Sequence, residues 1–355
     1  VVKEKEKISF IVPKISKYAN TQSAVKKSDF NINEEFLVEL EHQSRDVWVQ
    51  NANGKPVSKW FFERTRGQYL DMAKRQDSSK AEKEFYAQYP KNQMFDKTSL
   101  SKFVMSWEQN PASVCKGGEN NYTVFYDKMK RQGIHFEKTR FQRTIAKAIL
   151  FKAIDALYGK DGIQLPGYKS NMVAYTLALL SFNSDKSLNL DAIWEEQCVI
   201  SPSVYNELTL DIYNVYAKLI CGAEHVVYKI KETHTDSNGK RRNRYVQKEI
   251  PEDDIARLKE TMLYKILLYV KKIEPFVYDH LINVDEGKNI NEWTKATLCW
   301  ESLKTKQAKA GDEYSIPSEL LGNNGDVDEE ITEGQKKKID EVRDIEPERW
   351  FALNK

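Results

Sequence analysis

The chain of 355 residues is 40% hydrophobic and 11% aromatic, which is enough to bury a sizeable core and excludes a disordered chain. Its net charge is only +2, but residues 1–150 hold 27 Lys and Arg against 18 Asp and Glu, and residues 151–355 hold 28 against 35. A basic front half favours polyanionic partners, and the acidic back half reads as a solvated face or tail.

In chain order, Ile8–Ile15 reads as a strand with Pro13 at its edge or end. Asn31 and Asn33 are helix caps for a segment running to about Arg45. NANGKP is a turn, and WFFERTRGQY (Trp60–Tyr69) follows as a strand. Helices are predicted at about 80–88, 98–109, 120–132, 137–158, 170–182, 189–198, 203–221, 251–272 and 289–306. Between them, two β-rich arms flank Ser237-Asn238-Gly239, a hairpin signal. Gly311–Glu346 carries 12 acidic and 4 basic residues and reads as loosely ordered, with Trp350–Leu353 docking back on the body. The expected fold is mainly α (α+β). A basic front unit with strands (1–125) precedes a multi-helix body with one β-hairpin near 226–250 (126–310) and an acidic C-terminal segment (311–355).

Four cysteines, at 115, 198, 221 and 299, form no CxxC and no disulfide spacing, which points to a reducing cytoplasm. The longest apolar run, Met172–Phe182, is far shorter than the roughly 20 residues of a membrane span. No signal-like start is present either, so no membrane is expected among the partners. The chain opens on Val-Val rather than Met, and a fragment of a longer chain is the expectation, in which any upstream catalytic domain would not be visible.

Strand alternation over Trp60–Tyr69 would put Trp60, Phe62, Arg64, Arg66 and Gln68 on one face, apolar at one end and cationic at the other. Guanidinium forks suit phosphate oxygens, and Gly67 lets a ligand come close. The competing reading pairs both arginines with carboxylates such as Glu63 or Asp71. Residues 128–147 hold seven basic side chains and one acid. On a helix, Arg140, Arg143 and Lys147 share a face opposite Phe141, Ile145 and Ile149, either a polyanion contact or an ordinary solvated face. Lys116-Gly117-Gly118 enters a helix start that could hold an anion, although it lacks P-loop spacing. The hairpin tip carries Lys240, Arg241, Arg242 and Arg244. No catalytic motif, cofactor fingerprint or metal-ligand spacing is recognisable, and Asp161-Gly-Ile-Gln-Leu lacks the second half of a metal-nuclease pattern.

The block Trp60–Tyr69 resembles the abortive-infection phage-resistance (AIPR) family of bacterial defence proteins. Asn20-Thr21-Gln22 followed by Asp29, Lys97-Thr98-Ser99-Leu100, and Val114-Cys115-Lys116-Gly117 leading to Asn121-Tyr122 are similar to further family blocks. So are Val173–Ala178 and Glu292-Trp293-Thr294-Lys295 with Cys299-Trp300-Glu301. The resemblance implies a cytoplasmic antiphage factor encoded beside DNA methyltransferases and ATPases in restriction-modification-like clusters. Longer members carry an upstream restriction-endonuclease-like region. Asn20, Gln22, Arg64, Arg66, Gln68 and Lys97 are the block residues expected to contact nucleic acid, DNA or RNA. The alternatives are a subunit that recruits partner ATPase or methyltransferase chains, and a metal-dependent nuclease.

Overall fold

A computed structural model describes residues 27–29, 31–165, 167–201, 204–205, 212–235, 241–283 and 289–322. The predicted strand at 8–15, Asn20 and Gln22, the Ser-Asn-Gly tip and Trp350–Leu353 lie outside the described residues.

Helix α1 (Glu35–Asp46) buries Phe36, Leu37, Leu40 and Ser44, one face at helical spacing. Strands β1 (Val49–Gln50) and β2 (Pro56–Ser58) pair antiparallel across the NANGKP turn. Strand β3 (Phe61–Glu63) covers only the first part of the predicted Trp60–Tyr69 strand. Gly67, at φ 80°, then hands the chain directly into α2 (Gln68–Lys74). Arg64, Arg66 and Gln68 therefore sit on a turn and a helix start, and do not share a strand face. After α3 (Ser79–Gln88), strand β4 (Met94–Asp96) runs parallel to β3, pairing Phe61 with Met94, Phe62 with Phe95 and Glu63 with Asp96.

Helices then dominate. In order they are α4 (Lys97–Trp107), α5 (Pro111–Cys115), α6 (Gly118–Gln132), α7 (Lys138–Leu157) and α8 (Lys169–Asn183). Every residue from Met172 to Ser181 is buried, so the apolar run seen in the sequence is the helix at the centre of the core. After α9 (Leu190–Glu195) and α10 (Ile212–Ile220), strands β5 (Val227–Thr235) and β6 (Arg241–Glu249) form the predicted hairpin in a nine-pair register. The predicted 251–272 helix is two helices, α11 (Glu252–Glu260) and α12 (Met262–Ile282). Thr261 breaks it, because its hydroxyl accepts from the Tyr264 amide (3.2 Å) and caps the second segment. Helices α13 (Ile290–Trp293) and α14 (Thr297–Ala310) follow, and the next turns return to the body. There Tyr269 donates to the Tyr314 carbonyl (2.6 Å), and Leu321 bridges to Leu188.

The molecule is mainly α with three two-stranded sheets among the described residues. One apolar cluster runs from Phe36 to Leu320, and a satellite of Phe61, Tyr69, Ala73, Phe85 and Tyr89 sits beneath β3. Long-range hydrogen bonds tie front to body, from Trp60 to Gln197 (2.8 Å) and from Gln93 to the Tyr205 hydroxyl (2.9 Å). No helix among the described residues is long and apolar enough to cross a membrane.

Candidate anion-binding pocket

Strands β3 and β4 each end in a carboxylate, and each carboxylate organises the next few residues of chain. Glu63 accepts from the Gly67 amide (2.9 Å) and the Tyr69 amide (3.2 Å), which fixes the Arg64–Gly67 turn. Asp96 accepts from the Ser99 amide (2.7 Å) and the Thr98 hydroxyl (2.9 Å) as the N-cap of α4. Burial alone would raise the Asp96 carboxyl; the Ser99 and Thr98 hydrogen bonds outweigh it and hold the group below the usual range. These two caps place Arg64, Arg66 and Lys97 around a pocket of about 50 Å³, closed by Ser28, Asp29, Thr98 and Glu119.

The competing reading of the arginines holds in kind, with different partners. Arg64 donates to Glu41 (2.6 Å) and to the Ile32 carbonyl (2.6 Å), and its side chain is 20% exposed. Arg66 donates to Asp29 (2.7 Å) but stays 40% exposed at the rim. Gln68 reads the same turn from the other side: its carbonyl accepts from the Arg64 amide (3.0 Å) and its amide donates to Glu41. Burial pushes the Glu41 carboxyl up, and the hydrogen bonds from Gln68 and Arg64 more than reverse this. Glu119 is held by the backbone amide (2.9 Å) and hydroxyl (3.0 Å) of Ser28.

Every pocket carboxylate thus has a partner, and one cation does not. Lys97 is 6% exposed and its ammonium has no hydrogen-bond partner among the described residues. Its nearest aromatic neighbour is Tyr122, with the ring centroid 5.8 Å away. Burial lowers its pKa, and the nearby Asp29, Glu119 and Asp96 carboxylates only partly restore it. A buried ammonium without an acceptor is costly, and an incoming anion would supply what it lacks.

The other predicted cations fall elsewhere. Arg143 makes a two-pronged pair with Asp191 (3.0 and 3.0 Å), locking α7 to α9. Lys147 is buried, with its ammonium 5.4 Å from the Trp107 ring centroid. Arg140 is half-buried and partnered. The expected α7 stripe therefore turns inward, while Phe141, Ile145 and Ile149 are buried as its opposite face. Lys116 is exposed beside the start of α6. Arg241 and Arg242 stand in β6 opposite Thr235 and His234; Arg244 is exposed and engaged.

Burial pushes the Cys115 thiol up to about 12, which keeps it protonated and argues against a nucleophilic role. Glu35, Glu39 and His135 bring ligand atoms within 4.8 Å of one another. However, Glu39 already holds His135 (2.9 Å) and the Phe136 amide (2.8 Å), pinning the link into α7.

Sequence reasoning missed Glu41 and Asp96. Glu41 lies one helical turn beyond Leu37 on α1, with no local signal of its role. Asp96 was legible as an Asp before Lys-Thr-Ser, the pattern of an N-cap.

The chain has no match among curated proteins and none among solved structures. The profile of one family, described as AIPR protein, matches residues 1–221, more than half of the 355. That span contains the pocket whole, from Ser28 to Glu119. The chain belongs to the AIPR protein family, the abortive-infection phage-resistance proteins.

Proposed function

We propose that this chain serves antiphage defence as a nucleic-acid-engaging and architectural portion of a restriction-like effector, gripping a backbone phosphate in the pocket of Arg64, Arg66 and Lys97. The observation that carries this reading is the orphan ammonium of Lys97, buried where the family blocks of β3, α4 and α6 converge. Lys97 would hold the phosphate, Arg66 at the rim would guide it in, and Arg64 would keep the turn rigid through Glu41. A metal-dependent nuclease draws less support: Glu63 and Asp96, the paired carboxylates at adjacent strand ends, both cap helices.

The test is fluorescence anisotropy with single- and double-stranded DNA and RNA between about 50 and 200 mM salt, where phosphate contacts weaken steeply. Wild-type affinity should fall with salt, and Arg66→Ala should weaken binding about tenfold with little preference for sequence. Binding that ignores both salt and Arg66→Ala would refute the reading.

A further inference from the structure

A second cleft, larger than the first and distinct from it, opens beside α4 and α7. Its volume is about 490 Å³, within the range of small-molecule sites and about ten times that of the Lys97 pocket. Four lysines line it, Lys102 from α4, Lys152 from α7, Lys160 from the turn after α7, and Lys169 from the start of α8. Among the described residues the only carboxylate lining it is Asp155, and Lys169 already pairs with that group at 3.0 Å. Lys152 is held by the Asn92 carbonyl (2.5 Å) and the Met94 carbonyl (3.2 Å), which leaves one of its three N–H donors. Lys102 and Lys160 make no hydrogen bond or ion pair from their ammonium groups among the described residues, although Asp96 lies within electrostatic range of Lys102.

So strong an excess of unneutralised cations calls for an anion of more than one charge. The remaining lining narrows the class. Phe103 and Phe151 pack together with ring centroids 5.1 Å apart, and Tyr213 also lines the cleft. The side-chain carbonyl of Asn92 is buried in the wall without a partner among the described residues. Aromatic surface beside lysines suits a base next to its phosphate, and an unpartnered carboxamide oxygen can accept from an exocyclic amine.

We infer that this cleft binds a nucleoside phosphate, with the phosphate on Lys102 and Lys160, the base against Phe151 and Tyr213, and Asn92 at the base edge. The same chemistry is offered by a free nucleotide and by the phosphorylated end of a strand.

Isothermal titration calorimetry on the full chain tests it with adenosine monophosphate, adenosine, inorganic phosphate, and a short oligonucleotide with or without a 5′-phosphate. Adenosine monophosphate or the 5′-phosphorylated strand should bind, with adenosine and inorganic phosphate each at least about tenfold weaker. Tighter binding by the phosphorylated strand assigns the site to strand ends, and tighter binding by the mononucleotide assigns it to a free nucleotide. Lys102→Ala with Lys160→Ala should lower that affinity roughly tenfold to a hundredfold. Neither ammonium makes a hydrogen bond or ion pair within the fold among the described residues, and an unchanged melting curve would verify that the double variant stays folded. Lys97→Met should leave adenosine monophosphate binding intact, which separates the cleft from the phosphate pocket. Absence of binding at millimolar ligand, affinity undiminished in the double variant, or phosphate binding as tightly as the nucleotide would overturn the assignment.

Discussion

Lys97 and Lys152 are both lysines whose charge the fold makes expensive, and they differ in what surrounds the ammonium. Lys152 is bound by two backbone carbonyls, and burial lowers its pKa to about 8 from 10.5. The folded state therefore binds fewer protons than the unfolded chain between about pH 8 and 10.5, so its contribution to stability rises with pH across that window. Relative to Lys152→Met, the wild type should gain stability from pH 8 to 10, measured as the difference in urea midpoints. A flat difference would mean that Lys152 is not desolvated. Gly67 is the other residue fixed by physics, since φ 80° strains any side chain even though the space around it is open. Gly67→Ala should cost about 1 kcal/mol and loosen the turn carrying Arg64 and Arg66. Equal stability in thermal melts would show that the turn relaxes without strain.

At the level of elements, the pocket is a consequence of how two strands end. A parallel pair only three residues long cannot hold side chains in place by itself, so the Glu63 and Asp96 caps fix the geometry. Asp96→Ala should destabilise α4 by about 1–2 kcal/mol, and Asp96→Asn, also a good cap, should restore most of this. Nucleic-acid binding should survive in Asp96→Asn, because the role proposed for Asp96 is structural. Loss of binding in a stably folded Asp96→Asn would point to direct ligand or metal chemistry at that carboxylate.

The same elements show what the sequence could and could not reveal. Long amphipathic or apolar stretches such as α7 and α8 were legible, because their periodicity extends over many residues. Strand β4 was not, because three residues carry no period, and its pairing with β3 is a tertiary choice. The arginines of 64 and 66 were visible as candidates, yet their partners Glu41 and Asp29 come from 23 and 37 residues away. The stripe on α7 misled for a related reason. Helical spacing places Arg143 and Lys147 on one face but says nothing about Asp191 or Trp107 packing over it.

Across the whole molecule, the front residues and the helical body share one apolar cluster from Phe36 to Leu320, and Trp60 and Gln93 reach across it to Gln197 and Tyr205. A shared core predicts one cooperative transition, so far-UV circular dichroism and tryptophan fluorescence should melt together in urea. Two separated transitions would mean that the front part and the body are independent folding units. A rigid frame of this kind matters for the proposed role, because a nucleic-acid contact can position a strand only as firmly as its pocket is held.

The most direct measurement concerns Lys97→Met, read for stability and for nucleic-acid binding in the same preparation. Removing a buried ammonium that has no hydrogen-bond partner among the described residues should raise stability by about 1–3 kcal/mol while it abolishes most binding and lowers the salt slope by about one. A variant that is less stable than wild type, or that binds as well with the same salt dependence, would contradict the assignment of Lys97 as the phosphate anchor.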